Sequence, residues 1–113
     1  MARIEGYRFG HVLVDGREET RDLIVLPERV VTNWWRQNGH ALVLQDLEDV
    51  LEELPEHLVV GTGAAGQMRP DPALVEDLRA RGVDVEVHPT DRAVLRYGEL
   101  DPHRTAAALH LTC

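Results

Sequence analysis

Strand patterns alternate with helix patterns through the second half of the chain, and this alternation constrains the fold more than any other feature. Residues 58–61 (LVVG) and 83–87 (VDVEV) are short apolar or alternating runs typical of strands. A helix pattern follows each of them, near Asp71 and near Thr90. Because strands separated by helices usually pair in parallel, the sequence predicts a parallel or mixed sheet with helices covering it.

Capping residues mark where two of the helices begin and end. Asp71 followed by Pro72 is typical of an N-cap with proline at the first helical position, and Gly82 supplies a left-handed stop. Asp46 is the predicted N-cap of a short amphipathic helix that ends at Pro55. The first helix of the alternating region therefore begins near residue 72, several residues after the strand that precedes it.

The last third of the chain carries one more helix and a final apolar run. Thr90 is the predicted cap of the helix, whose inward side consists of Ala93, Val94, Tyr97 and Leu100. Residues 104–113 (RTAAALHLTC) close the chain, and two interpretations of this run, helix and strand, stay open.

The first third of the chain is rich in strand patterns. Residues 3–9 and 11–15 are predicted strands, with the turn pair Asp15-Gly16 at the end of the second. Residues 21–26 and 40–45 are further predicted strands. The length of 113 residues fits one domain, which we predict over residues 1–113.

Charge and composition exclude several classes of function. The net charge is −8, with 12 arginines against 20 acidic residues, so nucleic acid is not an expected partner. No lysine and no serine occur, which excludes a P-loop and a serine nucleophile. No apolar run reaches the roughly 18 residues of a membrane span, and residues 1–10 lack a signal-peptide pattern. We therefore expect a cytoplasmic protein that does not contact a membrane.

Residues 61–66 read GTGAAG, a literal G-x-G-x-x-G after a strand. As a dinucleotide loop it would use Glu86, 20 residues past Gly66, as the ribose acid. In that fold, however, the third glycine lies inside the helix, and here the helix begins only near Pro72. We favour a tight structural turn. A small anion-binding nest built from the loop and Arg69 stays open as an alternative.

Loops at strand ends are where α/β folds place their sites, so residues near the glycines are the best candidates for a ligand pocket. The predicted ligand-binding or anion-binding candidates are Gly61, Thr62, Gly63, Gly66, Arg69, His40 and Arg36.

Trp34 and Trp35 are adjacent aromatic residues in a chain that has few. If the segment is extended, one ring enters the core and the other stays on the surface as an interface anchor. Burial of both rings is the alternative.

His110 and Cys113 lie three positions apart at the end of the chain. A nucleophile pair or half of a metal site is one interpretation. A buried thiol beside a hydrogen-bonded histidine is the favoured one, because cysteine is commonly buried. The other histidines lack metal-ligand spacing, so we predict no metal, no cofactor and no catalytic set.

Several motifs together resemble the adipogenesis-associated Mth-domain family, which also contains a mitochondrial complex I assembly factor. They occur in one order along almost the whole chain: FGHVLVDG at 9–16, WWRQNGH at 34–40, the Asp46-Leu47 pair, GTGAAGQMRP at 61–70, Thr90-x-x-Ala93 with Tyr97, and HLTC at 110–113. One departure is Gly98, where the family often has asparagine after the tyrosine.

The resemblance implies a single α/β domain of three layers (β+β/α) that is not a Rossmann fold. It implies a mixed central sheet, helices on one side and a small extra β layer. It implies no settled enzymatic activity and suggests an assembly or regulatory role.

Two functions of different classes are therefore predicted. The first is a non-enzymatic binding or assembly module whose partner is another protein or a second copy of the chain. The alternative is a small-molecule or anion binder, with or without catalysis, that uses the Gly61–Gly66 loop with Arg69 and His40.

Overall fold

A mixed five-stranded sheet forms the centre of the molecule in the computed structural model, which describes residues 2–113. These residues contain ten strands, in sequence order β1 Ile4–Arg8, β2 His11–Val14, β3 Arg17–Glu19, β4 Leu23–Val25, β5 Val30–Val31, β6 Ala41–Leu42, β7 His57–Thr62, β8 Arg69–Pro70, β9 Asp84–His88 and β10 Thr105–His110. The helices are a 3-10 helix at Leu44–Glu53, α1 at Pro72–Ala80 and α2 at Thr90–Gly98.

The strand order in the central sheet is β5-β4-β10-β7-β9. β10, β7 and β9 are mutually parallel, whereas β4 runs antiparallel to β10 and β5 antiparallel to β4. β1, β2 and β3 form a separate antiparallel sheet, and β6 pairs with β8 in parallel. The prediction of an α/β fold with a mixed central sheet and additional small β sheets is confirmed.

The C-terminal apolar run is the central strand. β10 lies between β4 and β7, and its consecutive residues Ala106, Ala107 and Ala108 are fully buried. A strand covered on both faces reads as a continuous apolar run without alternation, which is why the sequence pattern left helix and strand open.

Two separate cores lie on the two faces of the central sheet. On one face, Leu58 and Val60 pack with α1 and the 3-10 helix. On the other face, Val59 and Leu109 pack with α2 and with the three-stranded sheet. The expectation of helices on one side only is therefore wrong. The connection through α2 passes over β7 to reach β10, so a right-handed crossover places α2 on the face opposite α1.

Three local predictions also need correction. Only Ala41–Leu42 of the predicted strand 40–45 forms a strand, because the 3-10 helix begins at Leu44. Asp46 is the third residue of that helix rather than its cap, and its carboxylate accepts the N–H groups of Val43 and Gln37. Thr90 is the first residue of α2.

Two other capping predictions are confirmed. The Asp71 carboxylate accepts the N–H of Ala73 at the start of α1, with Pro72 as the first helical residue. Gly82 has φ +86°, the left-handed conformation that ends the helix.

Candidate functional site

Asp22, Arg36 and His110 meet beside the carboxyl end of the central strand, and we call them the Asp22 cluster. Asp22 precedes β4, His110 ends β10, and Arg36 follows the two tryptophans. Arg36 Nη1 donates to Asp22 Oδ2 at 2.8 Å, and His110 Nδ1 lies 2.8 Å from the same oxygen. The other carboxylate oxygen accepts the N–H of Leu111 at 2.8 Å. One carboxylate therefore joins three segments that are distant in sequence.

The surroundings keep Asp22 ionised. Burial opposes its charge, but hydrogen bonds from His110, from the Leu111 N–H and from Arg36 outweigh that effect, so the pKa of Asp22 is below its ordinary value. His110 Nδ1 also lies 3.1 Å from Arg36 Nη2, so this ring nitrogen faces both the carboxylate and the guanidinium. Within residues 2–113, two buried side-chain nitrogens lack a hydrogen-bond partner, Arg36 Nε and His110 Nε2, and both belong to this cluster.

The glycine loop lies next to the Asp22 cluster and holds the C-terminal residues of the chain. The N–H of Ala64 donates to Thr112 O at 2.6 Å, and that of Gln67 donates to Cys113 O at 3.0 Å. Gly63 N donates to the Thr90 hydroxyl at 2.8 Å, and Gly66 N donates to Gly63 O at 3.2 Å. These donors point inward to protein acceptors, which supports the structural-turn interpretation and argues against an anion nest.

At each glycine of the motif, a side chain would be unfavourable for a specific steric reason. A Cβ on Gly61 would lie 2.9 Å from Leu109 Cδ2, so β7 can pack closely here only without a side chain. Gly63 has φ +103°, and a Cβ there would lie 2.7 Å from Cys113 O and 2.9 Å from His110 Cδ2. Gly66 has φ +67°. The three positions therefore serve the turn and its close approach to the C-terminal segment.

His40 and Arg69 are neighbours through their backbones. Arg69 N donates to His40 O at 2.9 Å where β6 pairs with β8. Both side chains are exposed, whereas the Arg36 side chain is 4% exposed inside the Asp22 cluster. The structure thus separates the buried Arg36 from the exposed pair, and a ligand role for any of them stays a prediction.

The two tryptophans point to opposite sides of their segment. Trp34 is 8% exposed, its indole N–H donates to Asp46 O at 2.8 Å, and the Arg36 guanidinium carbon lies 4.9 Å from its ring centroid. Trp35 is 76% exposed. The interpretation with one buried and one surface ring is confirmed, and burial of both is wrong.

Trp35 lies on the rim of an acidic groove of about 500 Å³ between its own segment and the 3-10 helix. We call this the Trp35 groove. Its floor is apolar, with Ile24, Val31 and Val50, and its charged lining residues are Asp46, Glu48 and Asp49. Asp46 is engaged by backbone N–H groups, whereas Glu48 and Asp49 are exposed. The groove thus offers an aromatic anchor and two acidic side chains.

Cys113 is exposed, so the favoured interpretation of a buried thiol is wrong. The backbone of the last residues, rather than the thiol, makes the contacts to the glycine loop. The hydrogen-bonded histidine of the same interpretation is confirmed, since His110 is buried and bonded to Asp22.

Asp22 belongs to no motif of the sequence. The only signal for it was an acidic residue inside the predicted strand 21–26, at a position where a buried charge needs a partner.

The Glu86 carboxylate is engaged by neighbouring side chains. Three N–H contacts of 2.9 to 3.1 Å connect its carboxylate to Arg96, and it also contacts His57 and His88. Across residues 2–113, three or more His, Cys, Asp or Glu side chains nowhere converge in an arrangement able to hold a metal ion. None of the helices described for these residues has the length and apolar content to cross a membrane.

The chain belongs to a family of proteins of unknown function, DUF498/DUF598. Residues 4–110 match the family described as "Protein of unknown function (DUF498/DUF598)". A solved structure with the same fold carries the description Mth938-like domain, and the resemblance predicted from the sequence is confirmed at that level.

Three solved structures illustrate the similarity. PH1505 of Pyrococcus horikoshii OT3, a conserved hypothetical protein, is 30% identical over 98% of this chain and 99% of its own, with a TM-score of 0.82. A protein named MT938 is 29% identical over all of both chains, with a TM-score of 0.78. The Mth938-like domain is a Bordetella pertussis protein that is 23% identical over 96% of this chain and 85% of its own, with a TM-score of 0.69. The last of these shows the fold alone.

Proposed function

We propose that this chain is a non-enzymatic binding module of the assembly type, which acts in the cytoplasm by contacting another protein through the Trp35 groove. The resemblance to the adipogenesis-associated Mth-domain family supports an assembly role. The observation that carries the proposal is the 76% exposure of Trp35 beside an acidic groove. Large exposed aromatic side chains are enriched among the residues that anchor protein interfaces.

The groove specifies the chemistry of its partner. Glu48 and Asp49 are exposed acids, and among the described residues the lining includes no arginine, histidine or lysine. A segment that carries arginine or lysine would pair with these carboxylates and would stack a cation on the Trp35 ring. An apolar side chain of the same segment would fill the floor formed by Ile24, Val31 and Val50.

The alternative function, binding of an anion or small molecule by the glycine loop, has less support. The N–H groups of Ala64 and Gln67 hold Thr112 and Cys113, so an anion that used these two donors would have to break both bonds. Support for that alternative comes from the exposed Arg69 and His40, which remain near the loop.

A titration with a synthetic arginine-containing peptide tests the proposed chemistry. The parent protein should show saturable binding by isothermal titration calorimetry, and Trp35→Ala should weaken that binding by about tenfold or more, as expected for loss of an interface anchor. The separate double variant Glu48→Gln with Asp49→Asn should also weaken binding of the peptide. Glu28→Gln combined with Glu76→Gln removes the same charge from exposed positions outside the groove and should change the affinity little. Equal losses in both double variants would show non-specific attraction and would contradict the proposal.

A further inference from the structure

β9 is the open edge of the central sheet, and its sequence is complementary to itself. The strand order places β9 at one end, paired on one side with β7. The opposite edge, β5, is only two residues long, whereas β9 has five. An edge strand of this length presents unpaired backbone donors and acceptors that can template pairing with another chain.

The backbone direction of β9 identifies which groups face outward. The N–H of Asp84 donates to Glu56 O at 2.8 Å, at the end of β7. Since successive residues of a strand point their N–H and C=O groups to alternate sides, those of Glu86 and His88 face β7 as well. The N–H and C=O groups of Val85 and Val87 therefore face away from the sheet.

We infer that two copies of this chain pair antiparallel through β9, about a two-fold axis at Glu86. In this register Val85 faces Val87 of the second copy as a hydrogen-bonded pair, which uses all the outward groups of both valines. Asp84 faces His88 of the second copy, so an acid meets a base at each end of the pairing. Only a two-fold axis at Glu86 places the acidic Asp84 opposite the basic His88 at both ends of the strand.

The two Glu86 side chains would face each other across the axis, and like charges in that position oppose pairing. Each Glu86, however, is already bonded to its own Arg96, with contacts of 2.9 Å to Oε1 and 3.0 Å to Oε2. His57 and His88 add contacts of 2.6 Å and 2.9 Å. The net charge around the two-fold axis is therefore smaller than that of two isolated carboxylates, because each Glu86 is paired with an arginine.

Pairing would also cover exposed apolar surface. Val87 is 44% exposed, whereas Val85 on the same face of the strand is buried against α1. In the proposed register Val87 lies beside Val85 of the second copy, and the two central sheets become one continuous sheet of ten strands. This inference concerns a different surface from the Trp35 groove and does not depend on it.

Sedimentation equilibrium over a concentration series tests for the dimer. The parent should change with concentration from the monomer mass to roughly twice that mass, while Val87→Pro, which removes an outward N–H, should weaken association about tenfold or more. Val87→Thr keeps that N–H and should still associate. Circular dichroism verifies that each variant is folded. A parent that stays monomeric, or a folded Val87→Pro that dimerises as well as the parent, would overturn the inference.

Cysteine cross-linking tests the register even if Val87→Pro fails to fold. In a Cys113→Ser background, Asp84→Cys and His88→Cys are prepared separately and then mixed under mild oxidation. Residues 84 and 88 would face each other as a non-hydrogen-bonded pair with Cα atoms about 4.5 Å apart, which suits a disulfide. The mixture should form a covalent dimer, and each variant alone should not. Equal cross-linking in the single-variant samples, or none in the mixture, would contradict this register.

Discussion

Asp22 and Arg36 form an ion pair with an N–O distance of 2.8 Å whose side chains are 18% and 4% exposed. Removal of Asp22 leaves a buried guanidinium uncompensated, so Asp22→Ala should lower the free energy of unfolding by about 3–5 kcal/mol. Urea unfolding curves measure this change. The comparison variant Glu53→Ala breaks the exposed Arg29–Glu53 pair and should shift the curve far less. Similar shifts in the two variants would mean that the Asp22 cluster does not stabilise the fold.

Part of the free energy of unfolding should depend on pH through Glu86. Hydrogen bonds from Arg96, opposed by burial and assisted by His88 and His57, lower the pKa of Glu86 from 4.5 to about 2. Because the folded pKa lies below the unfolded one, the stabilisation is fully present above about pH 4.5 and is lost as the pH falls toward about 2. Asp22, whose pKa is also lowered, contributes in the same direction.

Thermal melts of the parent and of Glu86→Gln across that pH range isolate the contribution of this residue. The glutamine variant should lose less stability than the parent as the pH falls, because it has no carboxylate to protonate. Parallel curves for the two proteins would be inconsistent with the role assigned to Arg96.

Gly63 is the glycine of the motif that should tolerate a side chain least. Its φ of +103° and the nearby carbonyl group of Cys113 leave no room for a Cβ, so Gly63→Ala should lower the melting temperature more than Gly66→Ala. Gly66→Ala should cost roughly 1–2 kcal/mol for its left-handed backbone alone. Gly98→Ala is the control and should change stability little, because the added Cβ would meet no described atom within 4 Å beyond its chain neighbours and the backbone of its own helix. Melting temperatures in the reverse order would refute the steric explanation.

The glycine loop should not behave as an anion site. Because four of its N–H groups, those of Gly63, Ala64, Gly66 and Gln67, already donate within the protein, sulfate should raise the melting temperature of the parent and of Arg69→Ala by the same amount. Chloride at matched ionic strength is the control. A sulfate-specific shift that shrinks in Arg69→Ala would instead support the anion-binding alternative.

The sequence predicted the parts of the fold that local patterns determine. Asp71, Pro72 and Gly82 marked the ends of α1 because capping depends on neighbouring residues only. The apolar run at residues 58–61 and the alternating run at residues 83–87 identified β7 and β9, since each is bounded by turn or helix signals.

The predictions that failed depended on distant partners. Thr90 looked like a cap, yet its hydroxyl accepts the N–H of Gly63 and donates to His110 O. Only the folding of the sheet brings these two groups near it. Cys113 was expected to be buried because its residue type usually is, but the backbone of the last residues makes the contacts instead. Asp22 carried no motif, because its role depends on residues 14 and 88 positions away.

The most direct test of the proposed function replaces Trp35 in the native cell with an aromatic photo-cross-linking amino acid, which keeps a ring at the anchor position. Leu95 is 72% exposed on a different surface and provides the matched control position. Cross-linking from position 35 should give a discrete adduct with one protein, which Glu48→Gln combined with Asp49→Asn should diminish. Position 95 should not give this adduct. The absence of any adduct from position 35, or the same adducts from both positions, would contradict a protein-binding role for the Trp35 groove.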